Sequence, residues 1–268
     1  MLDPDAIRAG LAPGATLPAT IYCYDQVGST MDLARTAIAT LPPIALPVLI
    51  VAEEQTAGRG RLGRRWVAPP GSALLFSLGL RPPAIVTTTP TALIWLAAVA
   101  LLETIEAETP LSAGLKWPND VLVQTTNGWA KTAGILLEGG WDNGALAWAI
   151  IGCGINVSAA PDPPTTRYPA TALTIAGAPA IDRLSLLQAL LRRYDFWFRQ
   201  LLAGDSDRLW QTWRSRLLTL GQIVTITTGS ETIHGEAVDV TRSGALLVRE
   251  PSGVVSAIES GDVGLLGG

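Results

Sequence analysis

Apolar runs at 20–25, 48–52 and 72–80 read as strands, the middle one (Val48-Leu49-Ile50-Val51-Ala52) continuous enough to be buried. Between the first two, 31–38 has helical spacing, with Ser29 or Thr30 in place to cap it. The 11-residue apolar run 92–102 falls inside a helix predicted from Thr89-Pro90 to Glu108, with proline at its first position. A membrane span needs about 20 such residues, so this helix belongs to a core. From 110 to 157 the pattern is a β-meander: a strand interrupted at 115–120 and resumed at 121–123, a turn at Asn127-Gly128, and strands over 131–139 and 145–157 joined at 141–144. A proline-rich loop, 159–170, follows. Leu184, Leu187, Leu191, Tyr194, Phe198 and Leu201 recur at helical spacing behind an Asp182 cap, and a shorter helix over 207–217 carries Trp210 and Trp213. Beyond Gly221 short alternating strands with glycine turns (223–226, 237–240, 245–248, 254–258) predict a small barrel. The pattern predicts an α+β protein in two domains, 1–218 and 219–268, with 1–19 a loosely held lead-in.

Hydrophobicity stops abruptly after the second strand. Glu53-Glu-Gln-Thr-Ala-Gly-Arg-Gly-Arg-Leu-Gly-Arg-Arg-Trp66 brings three glycines and four arginines within eight residues, in a chain of net charge −4. Glycines let backbone N–H groups turn toward an anion, and guanidinium forks bind phosphate or carboxylate bidentately. One basic spot on an acidic protein suits a small anionic ligand better than a nucleic-acid track, which needs a basic face. Gly58-Arg-Gly-Arg-Leu-Gly63 satisfies the dinucleotide pattern G-x-G-x-x-G, but Pro69-Pro70-Gly71 follows where that fold requires a helix, so the match is accidental. No Walker A loop is present either: Ala130 precedes Lys131-Thr132.

Composition narrows the chemistry. Charged residues are 16% against 48% hydrophobic, which fits a globular protein with a sizeable core. The acidic start, Met1-Leu2-Asp3-Pro4-Asp5, does not resemble a secretory leader, and Cys23 and Cys153 sit apart in apolar surroundings as buried free thiols; a cytoplasmic protein is expected. Of the 19 basic residues only Lys116 and Lys131 are lysine, marking them as positions where a compact point charge is required. The single histidine, His234, stands alone and supports neither a triad nor a metal site. Gln55, Arg59, Arg61, Lys116, Asn119, Asp120, Lys131 and Asn156 break apolar context in or just after predicted strands. Asp120 is either a turn residue or a Mg²⁺–phosphate contact. Several cations, one candidate metal carboxylate and no histidine base suit phosphoryl or nucleotidyl transfer, where catalysis is mostly positioning and charge neutralisation.

The stretches 53–66, Lys-Trp-Pro-Asn-Asp (116–120), Lys-Thr-Ala-Gly-Ile-Leu-Leu-Glu (131–138) and Gly-Cys-Gly-Ile-Asn-Val (152–157) resemble the biotin–protein ligases, with Gly-Ser-Thr (28–30) upstream and Pro-Ala-Thr-Ala-Leu (169–173) downstream in the same order. The resemblance covers about residues 20–265. It implies a mixed sheet flanked by helices followed by an SH3-like barrel. It also implies a two-step reaction: biotin and ATP give biotinyl-5′-AMP and pyrophosphate, and a lysine of a biotin carboxyl carrier protein then takes the biotinyl group. Carried over, Ser29, Thr30 and Gln55 meet the ureido end of biotin, and Gly58, Gly60 and Gly134 complete its site. Arg59, Arg61 and Arg64 order the loop over carboxylate and phosphates, and Trp66 packs at the adenylate. Lys131 stabilises charge at the carboxylate–phosphate junction, with Arg61 and Lys116 in support, while Asn119 and Asn156 serve the nucleotide and Asp120 the Mg²⁺. Met31 stands where many relatives have Asn, and Leu62 where a third loop arginine is common. DNA binding is not expected, since fewer than 20 residues precede the first strand; no membrane partner is expected, and a homodimer is possible. The loops 55–71 and 158–170 are expected to be mobile until biotin binds. Two alternatives remain: a lipoate or octanoate ligase, whose pattern includes a His-Asp that this chain lacks before 234, and a non-catalytic biotin-binding regulator.

Overall fold

The computed structural model describes residues 2–82, 90–161, 169–228 and 231–265. Seven strands form one sheet: β1 (Thr20–Val27), β2 (Val48–Gln55), β3 (Ala73–Leu80), β4 (Ala113–Lys116), β5 (Asp120–Thr125), β6 (Gly128–Asp142) and β7 (Ala145–Asn156), in spatial order β1-β2-β3-β7-β6-β5-β4. The pair β1–β2 is parallel and every other pairing is antiparallel, so the sheet is mixed, and the expected meander is β4 to β7. The β6–β7 hairpin turns at Asn143-Gly144, both at positive φ (48° and 79°), the conformation asparagine and glycine tolerate best.

Strand alternation sends neighbouring side chains into different layers. On one face, Val48, Ile50 and Ile150 pack with Met31, Ala34, Ala37 and Ile38 of helix α2 (Thr30–Thr40). On the other, Leu49, Val51, Leu74, Phe76, Ile151 and Cys153 join the main core with α3 (Ala92–Glu108) and α4 (Arg183–Leu202). The uninterrupted apolar run 92–102 is explained by burial on all sides of α3. Its N-cap is Thr91, two residues later than predicted; Thr89 lies outside the described residues.

One expectation is overturned. Residues 2–19 are not a loose lead-in: Pro4–Ala9 forms a helix, α1, whose Asp3 cap accepts from Ala6 N, and Ile7 and Leu17 are fully buried. Asp195 of α4 accepts from Thr16 N at 2.7 Å and Leu17 N at 3.0 Å, a tie between residues too far apart in sequence for periodicity to reveal.

After α5 (Ser206–Ser215) comes a five-stranded antiparallel sheet where the barrel was expected: β8 (Ile223–Thr228), β9 (Glu231–Val240), β10 (Leu246–Arg249), β11 (Val255–Ile258) and β12 (Asp262–Leu265), in order β11-β10-β9-β8-β12. Alternation alone missed β12 and the first half of β9. Trp117, in the turn between β4 and β5, ties the two sheets together: its indole N–H donates to Gly244 O at 2.8 Å and its backbone N–H to Thr219 Oγ1 at 3.0 Å. Arg214 of α5 adds an ion pair to Asp239 at 2.6 Å.

Candidate active site

Beyond the N-terminus of α2, on the same face of the sheet, lies a cavity of about 810 Å³. Its floor is β6 and β7, where Gly134 pairs with Gly154 and Leu136 with Gly152. Glycine is needed here for space. A Cβ on Gly154 would overlap the Trp66 indole, one on Gly134 would lie 3.1 Å from it, and one on Gly152 would lie 2.8 Å from Met31 Sδ. Trp66 thus lies flat on the floor.

The arginine loop folds back on itself as a tight hairpin, with Gly60 N donating to Arg64 O at 2.7 Å and Trp66 N to Gly58 O at 3.0 Å. At its tip Leu62 adopts φ 56° and ψ 38°, a left-handed conformation uncommon for a β-carbon-bearing residue, followed by Gly63 at φ 71°. No α-helix follows, so the dinucleotide pattern is indeed accidental.

At one end of the cavity the parallel pairing of β1 with β2 runs on through Thr56 N to Val27 O and Ala57 N to Gly28 O, setting Ser29 and Thr30 beside Gln55. Gln55 Oε1 accepts from Thr30 N at 2.8 Å and Thr30 Oγ1 at 3.1 Å, and Thr30 Oγ1 also bonds Ser77 Oγ at 2.8 Å. With Oε1 taken, Gln55 presents its amide N–H₂ as the donor end. Ser29 is the N-cap residue but makes no side-chain cap bond; its hydroxyl is buried in the cavity wall instead.

At the other end Lys131 Nζ lies 2.6 Å from Asp120 Oδ1 and 5.8 Å from the Trp66 ring centroid. In an uninterrupted strand Lys131 and Gly134 would face opposite ways. A bulge changes this: Val121 pairs with Ala133 but Leu122 with Lys131, leaving Thr132 as an extra residue that turns Lys131 into the cavity. Asn119 is fixed by Nδ2 donating to Ile135 O at 2.7 Å and receives Arg61 Nη1 at 3.5 Å. Asn156 Nδ2 donates to Thr171 O, leaving Oδ1 facing in.

Buried side-chain polar atoms lacking a hydrogen bond are uncommon and ask for an explanation. Among the described residues they are Ser29 Oγ, Arg59 Nε and Nη2, Trp66 Nε1 and Asn156 Oδ1, and all four residues line this cavity. Gln55, Thr30, Gly60, Arg61, Arg64, Asn119, Asp120, Lys131 and Gly134 line it too, and Gly58 forms the neighbouring wall of the loop. Lys116 does not line it: it is buried at the end of β4, opposite Asp120 in the β4–β5 register. Among the described residues Asp120 is the only carboxylate lining the cavity, and they contain no group of three or more metal-binding side chains.

Sequence reasoning missed Phe76, Arg65, Gly152 and Gly154 as lining residues, and Asp32 and Glu138 as loop anchors. The glycine pair had a signal: residues 152 and 154 share one strand face and leave it bare. Cys153, between them, points to the core, where its Sγ lies 3.1 Å from Tyr194 Oη. Burial pushes its pKa up to about 12 against the lowering effect of that contact, so it is no nucleophile. Of the second loop expected to be mobile, 158–170, residues 162–168 lie outside the described residues.

Residues 26–156 match the Biotin/lipoate A/B protein ligase family, and residues 219–266 match the Biotin protein ligase C terminal domain. The bifunctional ligase/repressor BirA of Bacillus spizizenii is 34% identical over 266 residues, which is 98% of this chain and 79% of that protein. The biotin–[acetyl-CoA-carboxylase] ligase of Paracoccus denitrificans is 34% identical over 240 residues, 85% of this chain and 98% of the relative. The solved structure of the biotin protein ligase from Aquifex aeolicus in complex with biotin and ATP aligns at TM-score 0.73 and 28% identity, covering 92% of this chain and 98% of that one.

Proposed function

Because this chain belongs to the biotin protein ligase family, we propose that the cavity floored by β6 and β7 carries both half-reactions of an ATP-dependent biotin ligase. The observation that supports this best is that every described residue with an orphaned buried polar side-chain atom lines one cavity, which also holds Lys131. In the first half-reaction a biotin carboxylate oxygen bonds to the α-phosphorus of ATP, the bond from that phosphorus to the β-phosphate oxygen breaks, and pyrophosphate leaves. In the second, an acceptor amine attacks the acyl carbon of the mixed anhydride, loses a proton, and AMP leaves.

Ser29 Oγ and the Gln55 amide are suited to the ureido group, because one can accept or donate and the other donates. Thr30 acts by holding Gln55. The Lys131 ammonium would lie at the anhydride oxygen, stabilising negative charge in both steps. Trp66 offers an indole face to the adenylate. Asn119 and Asn156 suit the nucleotide, and Arg61 and Arg64 the phosphates. Lys116, buried off the cavity, would act on the phosphates only through its position beside the 117–119 turn. Mg²⁺ is held in such sites by one or two carboxylates together with substrate phosphates, so Asp120 fits, and the ion would supply charge neutralisation there. We take the acceptor to be a lysine of a biotin carboxyl carrier protein, the catalytic unit to be 1–218 with 219–268 as its C-terminal domain, and the location to be cytoplasmic, which accords with two free thiols and with no described helix long and apolar enough to cross a membrane.

The test is ATP–pyrophosphate exchange with biotin and lipoate in parallel. Exchange with biotin alone is expected, and Lys131→Ala should lower its rate by about 10²–10³-fold, the scale of losing one preorganised electrostatic donor. Exchange with lipoate alone would overturn the substrate, and exchange with neither would reduce the chain to a binding protein.

A further inference from the structure

Ser77 is the only polar side chain of β3, set between Phe76 and Leu78 and fully buried. It pairs across the sheet with Ile50 on one side and Gly152 on the other, and residues paired in this way share a face. Ile50 packs under α2 and Gly152 lines the cavity, so Ser77 lies beneath the seam between that helix and the floor. Its Oγ is 2.8 Å from Thr30 Oγ1, and the distance alone does not say which oxygen donates. The neighbouring bonds fix the direction. Gln55 Oε1 carries no proton and takes both the Thr30 backbone N–H, at 2.8 Å, and the Thr30 hydroxyl, at 3.1 Å. The one hydroxyl proton of Thr30 is thereby committed to Gln55, and the bond between Thr30 and Ser77 uses the proton of Ser77. The chain of bonds runs one way, from Ser77 Oγ through Thr30 Oγ1 to Gln55 Oε1. At its outer end Gln55 Nε2 has no hydrogen-bond partner among the described residues. It is not one of the covered orphaned atoms either, and Gln55 lines the cavity, so this amide nitrogen stays accessible there.

We propose that Ser77 is a positioning residue for the ureido end of the site, where its proton commits the Thr30 hydroxyl to Gln55 and so holds the Gln55 amide with its N–H₂ toward the ligand. The inference rests on reading the cavity as a biotin site. A hydroxyl that accepts a hydrogen bond donates a stronger one, so the bond from Ser77 tightens the hold of Thr30 on Gln55. The three residues sit on regular elements, in β3, at the first position of α2 and at the end of β2, rather than in the arginine loop. Ser77 touches no substrate in this scheme; it acts through Thr30 and Gln55. A hydroxyl in the middle of an apolar strand is otherwise a cost to the fold, and its single partner, Thr30, lines the cavity.

Action through Thr30 predicts that the effect of Ser77 depends on the Thr30 hydroxyl, whereas a merely structural role does not. Dissociation constants for biotin and for biotinol, its alcohol-tailed analogue, are to be measured by calorimetry without ATP on the full chain, for wild type, Ser77→Ala, Thr30→Val and the double variant. Ser77→Ala should weaken biotin about five-fold, the scale of one hydrogen bond, and biotinol by the same factor, since the two ligands share the ureido bicycle. Thr30→Val keeps the shape, removes the hydroxyl and should weaken both about ten-fold. In that background the Ser77 hydroxyl has lost its partner, so adding Ser77→Ala should change affinity by less than about two-fold. Ser77→Cys, which supplies a weaker donor, should fall between wild type and Ser77→Ala. Unchanged biotin affinity in Ser77→Ala would overturn the positioning role while leaving the ligase reading intact. The same loss from Ser77→Ala in both backgrounds would overturn it also, as a packing effect of β3. Failure of the wild type to bind either ligand would remove the biotin reading and this inference with it.

Discussion

The floor of the cavity is laid by β6 and β7, paired from Ala133 with Ile155 to Asp142 with Ala145. The loop that closes it hangs on a few backbone bonds and on ion pairs whose side chains are 25–51% exposed. The floor contributes shape by omission, with glycines at 134, 152 and 154 and apolar neighbours. The loop contributes charge, with four arginines and hardly any buried surface of its own. Damage to the floor should therefore act through sterics and be indifferent to salt, whereas damage to the loop should act through electrostatics and depend on it.

The largest effect is expected from the floor. Gly154→Val puts three carbons where the Trp66 indole rests, with even the first of them within 2.7 Å of its Nε1. Adenylate formation, followed as biotin-dependent pyrophosphate release, should fall by at least about 100-fold, since displacements of about 1 Å at a reacting centre are worth that much. The loss should be the same at 50 mM and 500 mM NaCl; partial rescue by salt would break the contrast. A smaller effect belongs to the loop. Over that salt range biotin affinity of the unaltered protein should weaken about three-fold and biotinol affinity should not change, because exposed charge pairs are screened within about 10 Å at moderate ionic strength. A salt response shared by both ligands would show that the loop works by shape as well.

The smallest effect concerns the seam where the loop rejoins the sheet. Burial raises the Glu53 pKa, but the Arg183 guanidinium, 2.7 Å away, and the Leu2 backbone N–H outweigh it and hold the group below its usual 4.5. A carboxyl whose folded pKa is depressed adds stability that is present above about pH 4.5 and disappears as the pH falls through the folded value. Urea unfolding at pH 7 and at pH 3.5 should differ by about 1 kcal/mol less in Glu53→Gln than in wild type. An identical pH response in the two proteins would show that this pair does not anchor the chain.

Much of the site was legible because its polar residues interrupt apolar runs: Arg59, Arg61, Asn119, Asp120, Lys131 and Asn156 all stand where a strand pattern breaks, and all line the cavity. Lys116 breaks its strand in the same way yet lies off the cavity, since a broken pattern reveals a buried polar group but not the direction it faces. Asp32 and Glu138 were illegible for the converse reason. Each reads as an ordinary solvated position on a helix or strand, and only tertiary structure brings them to Arg59. The same limit hid α1, whose Ala6 carbonyl accepts from Gln188 of α4, far away in sequence. Periodicity reports which side of its own element a residue occupies; what faces that side is decided elsewhere in the chain.

Thr132 carries a consequence for anyone comparing this strand with another. Upstream of it odd-numbered Lys131 takes the cavity face, and downstream even-numbered Gly134 and Leu136 do, so β6 changes parity in mid-course. A reader who counts through it as one unbroken alternation will assign Lys131 to the wrong side of the sheet, and a comparison that gains or drops one position here will misplace the lysine without disturbing a single hydrophobic residue downstream.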